Sequence, residues 1–120
     1  MNNTILIELE KHFDKDALIN FDFSSLKNEK DIFSDIYESI LNKEERKKYA
    51  QFFTHKELVK FIVSQLPINK SSKILDPACG VGAFLIEAYK NNNQDFNNLY
   101  GIDIDHKAVE LCKLNLKLNT

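Results

Sequence analysis

The chain has 120 residues, 43% apolar and 28% charged, with a formal net charge of −2 and an isoelectric point near 5.9. This suits one small globular domain with its own core, and it lacks the basic excess with which a protein grips nucleic acid unaided, though DNA contacts made by other parts stay open. Ile5-Leu6-Ile7 is too short for a signal-peptide core, no stretch approaches a bilayer span, and Cys79 and Cys112 fit no metal-ligand spacing; the chain therefore reads as cytoplasmic, with reduced thiols, no metal and no membrane contact.

In chain order, a short helix is expected around Ile5–Phe13, where Ile5, Leu6, Leu9 and Phe13 fall near one face. A second is expected from Asp31, which can cap it, with Ile32, Phe33, Ile36, Tyr37, Ile40 and Leu41 at helical spacing. The run Lys43-Glu44-Glu45-Arg46-Lys47-Lys48 reads as a solvated helix face or linker, with a phosphate-contacting patch as the minority alternative. Residues 1–50 thus form an N-terminal helical segment, and residues 51–120 open a second unit. Thr54 and Glu57 have capping-box spacing. Leu58, Val59, Phe61, Ile62 and Leu66 give the helix after them a broad apolar face, and Pro67 marks its end.

Beyond Ser72 the periodicity changes. Lys73–Asp76 reads as a short strand, Pro77–Gly82 as a glycine-containing loop, and Ala83–Tyr89 as the start of a helix that runs to Asn91-Asn92-Asn93. Leu99–Asp103 reads as a second strand. Asp105 caps a last helix carrying Val109, Leu111, Cys112, Leu114, Leu116 and Leu118. Strand, loop, helix, strand, helix is half of a doubly wound α/β nucleotide-binding fold.

Ligands of open α/β sheets bind outside the carboxyl ends of the strands. Gly80 and Gly82 permit close backbone approach there. Asp76 ends the first strand and suits a cation or ammonium. Asp103, 27 residues later, is placed to accept from ribose hydroxyls, and Ile104 to pack on a purine. Both acids are expected to face one hollow, with the Thr54 helix closing a side. A dinucleotide site would want a third glycine where Leu85 stands, and Asp76 would oppose a pyrophosphate. A phosphate-free, positively charged nucleoside fits better.

The stretch Asp76-Pro77-Ala78-Cys79-Gly80-Val81-Gly82-Ala83-Phe84-Leu85 resembles the first cofactor motif of amino-group DNA methyltransferases, Asp-Pro-Ala-Cys-Gly-Ser/Thr-Gly-x-Phe-Leu. Gln51-Phe52-Phe53-Thr54 is similar to their Gln-Phe-Phe-Thr-Pro element, and Gly101-Ile102-Asp103-Ile104-Asp105 to their second motif. Asp31–Glu38 also resembles the helix they place ahead of the first element. The resemblance covers roughly residues 31–120. It is to the adenine-N6 enzymes of restriction–modification systems: type I modification subunits and fused type II enzymes.

The resemblance implies a partial Rossmann-like class I methyltransferase fold, two parallel strands with flanking helices behind an N-terminal helical segment, and S-adenosyl-L-methionine as cofactor. By position, Thr54 would bond the cofactor's carboxylate and Phe53 would wall the pocket. Asp76 would face the ammonium, while Pro77, Ala78, Gly80 and Gly82 would supply backbone surface. Asp103 would hold the ribose and Ile104 the adenine. Each residue also has a plainer reading: Thr54 as a cap, Phe53 as core, Cys79 as a small packing residue. The sequence departs from the family pattern at His55, where the family has proline, and at Val81, where it has Ser or Thr.

The family's catalytic Asn/Asp-Pro-Pro-Tyr/Phe motif occurs nowhere in the 120 residues, so no catalytic residue is assigned and the chain is expected to be inactive alone. The expected partners are DNA, through regions outside this chain, specificity or restriction subunits, or a complementary methyltransferase half. Two alternatives remain: a non-catalytic module that pairs with a methyltransferase subunit, and a fragment of a protein or RNA methyltransferase.

Overall fold

In a computed structural model of the chain, the structure describes residues 54–119 together with the helical residues Ile7, Glu10, Lys11 and Asp16. Those isolated positions include three from the helix expected around Ile5–Phe13. The remainder of that helix, the one expected from Asp31, the 43–48 charge run and Phe53 lie outside the described residues.

Helix α1 spans Lys56–Ser64, strand β1 Ile74–Asp76, helix α2 Ala83–Asn91, strand β2 Leu99–Gly101 and helix α3 His106–Leu118; one 3₁₀ turn, Phe96–Asn98, leads into β2. The strands pair in parallel, with Ile74 opposite Leu99, Leu75 opposite Tyr100 and Asp76 opposite Gly101. The architecture is therefore α/β, two parallel strands flanked by helices, as the change of periodicity predicts. No helix among the described residues is long and apolar enough to cross a membrane.

The first helix begins differently from expectation. His55, not Thr54, is its N-cap: the ring Nδ1 accepts from the Glu57 N–H at 3.4 Å, and the His55 backbone is non-helical at φ −58°, ψ 138°. With the cap at position 55, Glu57 is the second helical residue, one short of the capping-box position. Thr54 lies just outside the helix and is exposed. The expected broad face of α1 is also narrower than its composition suggests. Val59 and Val63, one turn apart, are buried, whereas Leu58, Phe61, Ile62 and Leu66 are exposed.

One face of the strand pair carries the core. Leu99 packs with Leu116 against a buried cluster of Cys79, Leu85 and Cys112. On α3, Ala108, Leu111, Cys112 and Asn115 are buried, at the i, i+3, i+4, i+7 spacing of a single helical stripe. Gly101 owes its identity to this packing: a Cβ there would sit 2.8 Å from Leu85 Cδ1 and 3.0 Å from Cys79 Sγ. The opposite face is largely exposed, with Leu75, Tyr100 and Ile102 at 56%, 50% and 57%.

The α2–β2 connection is closed by a carboxamide. Asn92, fully buried, donates from Nδ2 to the Asp95 carbonyl at 2.7 Å and accepts from the Asp95 N–H at 3.1 Å. This holds the turn through Asn93 and Gln94, both with left-handed φ, and Tyr89 stacks on Phe96 across it at 4.3 Å.

Candidate functional site

The loop Pro77–Gly82 leaves β1 at its carboxyl end and delivers the chain into α2. Its shape follows from two left-handed glycines, Gly80 at φ 51° and Gly82 at φ 95°. Gly82 is the N-cap of α2, with its carbonyl accepting from Ile86 at 2.9 Å. Among the described residues nothing lies within 4 Å of the position a Gly80 Cβ would take, so the loop's outer side is open to them at that point.

Both acids grip this loop. Asp76 Oδ1 accepts from the Ala78 N–H at 3.1 Å. Asp103 Oδ2 reaches across from the end of β2 to accept from the Gly80 N–H at 2.9 Å, while its Oδ1 accepts from Asp105 at 2.9 Å. Backbone bonds continue the ladder past the strands, Ile102 N–H to Asp76 C=O and Cys79 N–H to Ile102 C=O, both 2.9 Å. Asp105, itself the N-cap of α3 as predicted, accepts from Lys107 at 3.0 Å. Ile104, 83% exposed, stands beside Asp103 with its side chain uncovered.

The Asp76 carboxylate is only half satisfied. Its Oδ2 is buried and has no hydrogen-bond partner among the described residues. Asp76 also lines a hollow of about 240 Å³ between α1, β1 and α2, walled by Val63, Leu66, Pro77 and Phe84. Asp103 is not part of that wall. The two carboxylates converge on one loop from its two ends, and this apolar hollow lies on the Asp76 side. Thr54 has no hydrogen bond to the loop among the described residues. The structure thus brings together Asp76, Pro77, Ala78, Gly80, Gly82, Asp103 and Ile104, and Thr54 stands exposed just ahead of α1, whose Val63 lines the hollow beside Asp76.

Cys79 and Cys112 are buried free thiols. Burial pushes both upward in pKa; Cys112 reaches about 12, with the neighbouring Cys79 adding to the shift, while for Cys79 the Cys112 side chain partly offsets the burial. Cys79 is therefore a packing residue and not a nucleophile. A folded Cys112 at about 12 against an ordinary thiol at 9.0 keeps its proton longer than the unfolded chain does. The stability this contributes is full below pH 9 and is lost as pH rises toward 12. At pH 8 both thiols should resist iodoacetamide in the native protein and react fully in guanidinium, read by mass; prompt native alkylation would contradict their burial.

A parallel strand–loop–helix–strand–helix unit, with a left-handed glycine loop held by acids from two adjacent strand ends, is part of a Rossmann-like α/β fold. A family model described as N-6 DNA Methylase matches residues 28–120, and the chain belongs to that family. It is 41% identical over 85 residues, 70% of this chain, to the type II methyltransferase M.VspI of Vibrio sp. (strain 343). It is 35% identical over 123 residues, 98% of this chain, to the type I restriction enzyme MjaVII methylase subunit of Methanocaldococcus jannaschii. To the type I restriction enzyme EcoKI methylase subunit of Escherichia coli (strain K12) it is 35% identical over 85 residues, 68% of this chain. The chain spans about a fifth of the length of these relatives: 21%, 20% and 16% respectively.

Asn115 is the residue the sequence reading missed. It is fully buried, and its Nδ2 donates to the Val81 carbonyl at 2.9 Å. The i, i+3, i+4, i+7 stripe through Ala108, Leu111 and Cys112 was the available signal for it.

Proposed function

We propose that this chain is the cofactor-binding opening portion of a cytoplasmic DNA adenine-N6 methyltransferase of a restriction–modification system. In this reading residues 51–120 begin the S-adenosyl-L-methionine-binding domain, behind a helical segment of residues 1–50. The observation that carries the reading is the Asp76 carboxylate, with Oδ1 committed to Ala78 and Oδ2 buried without a donor among the described residues. An acceptor in that state costs about 1–3 kcal/mol, and a ligand bearing an ammonium or an ordered water supplies what is missing. A pyrophosphate in the same place would be repelled.

The cofactor supplies an activated methyl group on a sulfonium and carries no phosphate. Asp76 faces its ammonium, directly or through water, and Ala78, Gly80 and Gly82 with Pro77 give it backbone surface. Asp103 keeps lone pairs for ribose hydroxyls beyond those used on Gly80 and Asp105, since each carboxylate oxygen accepts twice. The uncovered Ile104 packs on the adenine. Thr54 and Phe53 close the pocket over the cofactor's carboxylate end in the assembled protein. With prolines only at 67 and 77, these 120 residues hold no Asn/Asp-Pro-Pro-aromatic sequence, so gripping a flipped adenine falls to other residues and the chain alone is inactive in transfer. DNA and specificity or restriction subunits meet it through those other parts.

Calorimetric titration tests this. S-adenosylmethionine and S-adenosylhomocysteine should each give saturable heat at one site, and NAD none. Flat titrations with both, alone and after mixing with the downstream portion of a matching methylase, would sink the reading.

A further inference from the structure

A peptide plane between a residue and a following glycine flips at little steric cost, because glycine accepts either sign of φ. The Val81–Gly82 peptide is such a plane, flanked by the two left-handed glycines. Its two ends are both tied. The Gly82 N–H donates to the Cys79 carbonyl at 2.9 Å, and the Val81 carbonyl accepts from Asn115 Nδ2 at 2.9 Å across 34 residues of sequence. Asn115 is itself held, its Oδ1 accepting from Asn119 Nδ2 at 3.0 Å, and that same Nδ2 also donates to the Asn115 carbonyl at 2.9 Å. A carboxamide at 0% exposure is not free to leave such bonds without stranding buried polar atoms.

We propose that Asn115 is a positioning residue: from α3 it pins the Val81–Gly82 peptide so that the glycine loop is already in its ligand-binding shape before any ligand arrives. The inference rests on the cofactor reading for its consequence and on loop geometry alone for its substance. The departure at Val81 gives it added weight. Ser or Thr at that position carries a hydroxyl able to brace the loop locally, and valine does not, so in this chain bracing falls to the backbone carbonyl and its partner. Ordering a loop in advance removes that cost from binding.

The test uses the whole 120-residue chain. In Asn115→Leu, amide exchange at Gly82 should accelerate about tenfold beyond any change at Leu111, whose amide reports global opening, and S-adenosylmethionine should bind about tenfold more weakly. If Gly82 changes only in step with Leu111, Asn115 is merely structural and the inference is overturned. Should Asn115→Leu not fold, the wild-type protein still decides. The Asn115 carboxamide protons should exchange slowly and shift on cofactor addition; fast, unshifted protons overturn the inference. Faster Gly82 exchange in a protein whose wild type ignores the cofactor would leave the clamp standing and remove the cofactor reading. Unchanged affinity in a variant with a loosened loop would remove the clamp's consequence for binding.

Discussion

Asp103→Ala should abolish tight binding of S-adenosylmethionine and lower the melting temperature at the same time. One carboxylate serves two backbone donors, Gly80 on the loop and Asp105 at the head of α3, both at 2.9 Å. Hydrogen bonds to a charged acceptor are worth about 1.5–3 kcal/mol each, and a stranded donor costs about 1–3 kcal/mol. Asp103 is partly exposed, so water recovers some of this, and a stability loss of about 2 kcal/mol is expected. That corresponds to a fall of roughly 10 °C in a domain of this size. If Asp103 holds the ribose as proposed, loss of those contacts adds to loss of loop shape, and affinity should fall about a hundredfold, equivalent to about 2.7 kcal/mol. Asp103→Asn separates the two effects. A carboxamide offers one accepting oxygen and an NH2 group that only donates, so one of the two backbone N–H groups faces a donor. This variant should fall between wild type and alanine in melting temperature. Wild-type affinity in Asp103→Ala, measured by titration, would remove Asp103 from the ribose site.

Gly82→Ala should be the most damaging single methyl in the described structure, for two separable reasons. At φ 95° an L side chain is strained, a cost of about 1–2 kcal/mol. The added Cβ would also lie 2.7 Å from Cys112 Sγ, and overpacking of this kind costs about 1–3 kcal/mol. Removing the sulfur relieves only the second. In a Cys112→Ala background the nearest atoms would be Cys112 Cβ at 3.7 Å and Cα at 3.8 Å, ordinary van der Waals separations that alanine keeps. Urea melts of the four proteins should therefore show strong coupling, with Gly82→Ala costing about 1–2 kcal/mol less when Cys112 is alanine. Additive losses would mean that α3 shifts to admit the methyl, and that the α3–loop packing is softer than described.

Much of this arrangement was legible in the residues. The switch from helical to strand periodicity at Lys73, the loop glycines and the Asp105 cap place β1, α2, β2 and α3 where they form, because each is a local signal read against a fixed geometry. What was not legible depended on distant partners. Gly101 reads as a strand residue with no special demand until Leu85 and Cys79 are seen crowding it. Asn115 reads as a polar interruption in a leucine-rich helix, and its carboxamide makes sense only once the Val81 carbonyl is beneath it. The helix-start error had a subtler cause. Thr54 is the better intrinsic cap, but the chain turns one residue later, where only His55 Nδ1 reaches the Glu57 N–H. The apolar count of α1 overstated its burial because it weighed residue type over spacing; Val59 and Val63 at i, i+4 are the pair that goes inside. Of the site residues, Phe53 lies outside the described region and Thr54 stands exposed ahead of α1. The role of each assigned residue toward the cofactor rests on the titrations above.

The uncovered side of the strand pair gives the protein a reporter that needs no label. The chain contains no tryptophan and four tyrosines, so its near-ultraviolet emission is phenolic. Tyr89 is stacked on Phe96, whereas Tyr100 stands half exposed at the centre of the Leu75–Ile102 surface. Any body that seats on that surface, whether a further layer of the same fold or a separate polypeptide, must take the Tyr100 ring out of water. Assembly on this side would thus be visible in the spectrum as quenching by iodide is lost.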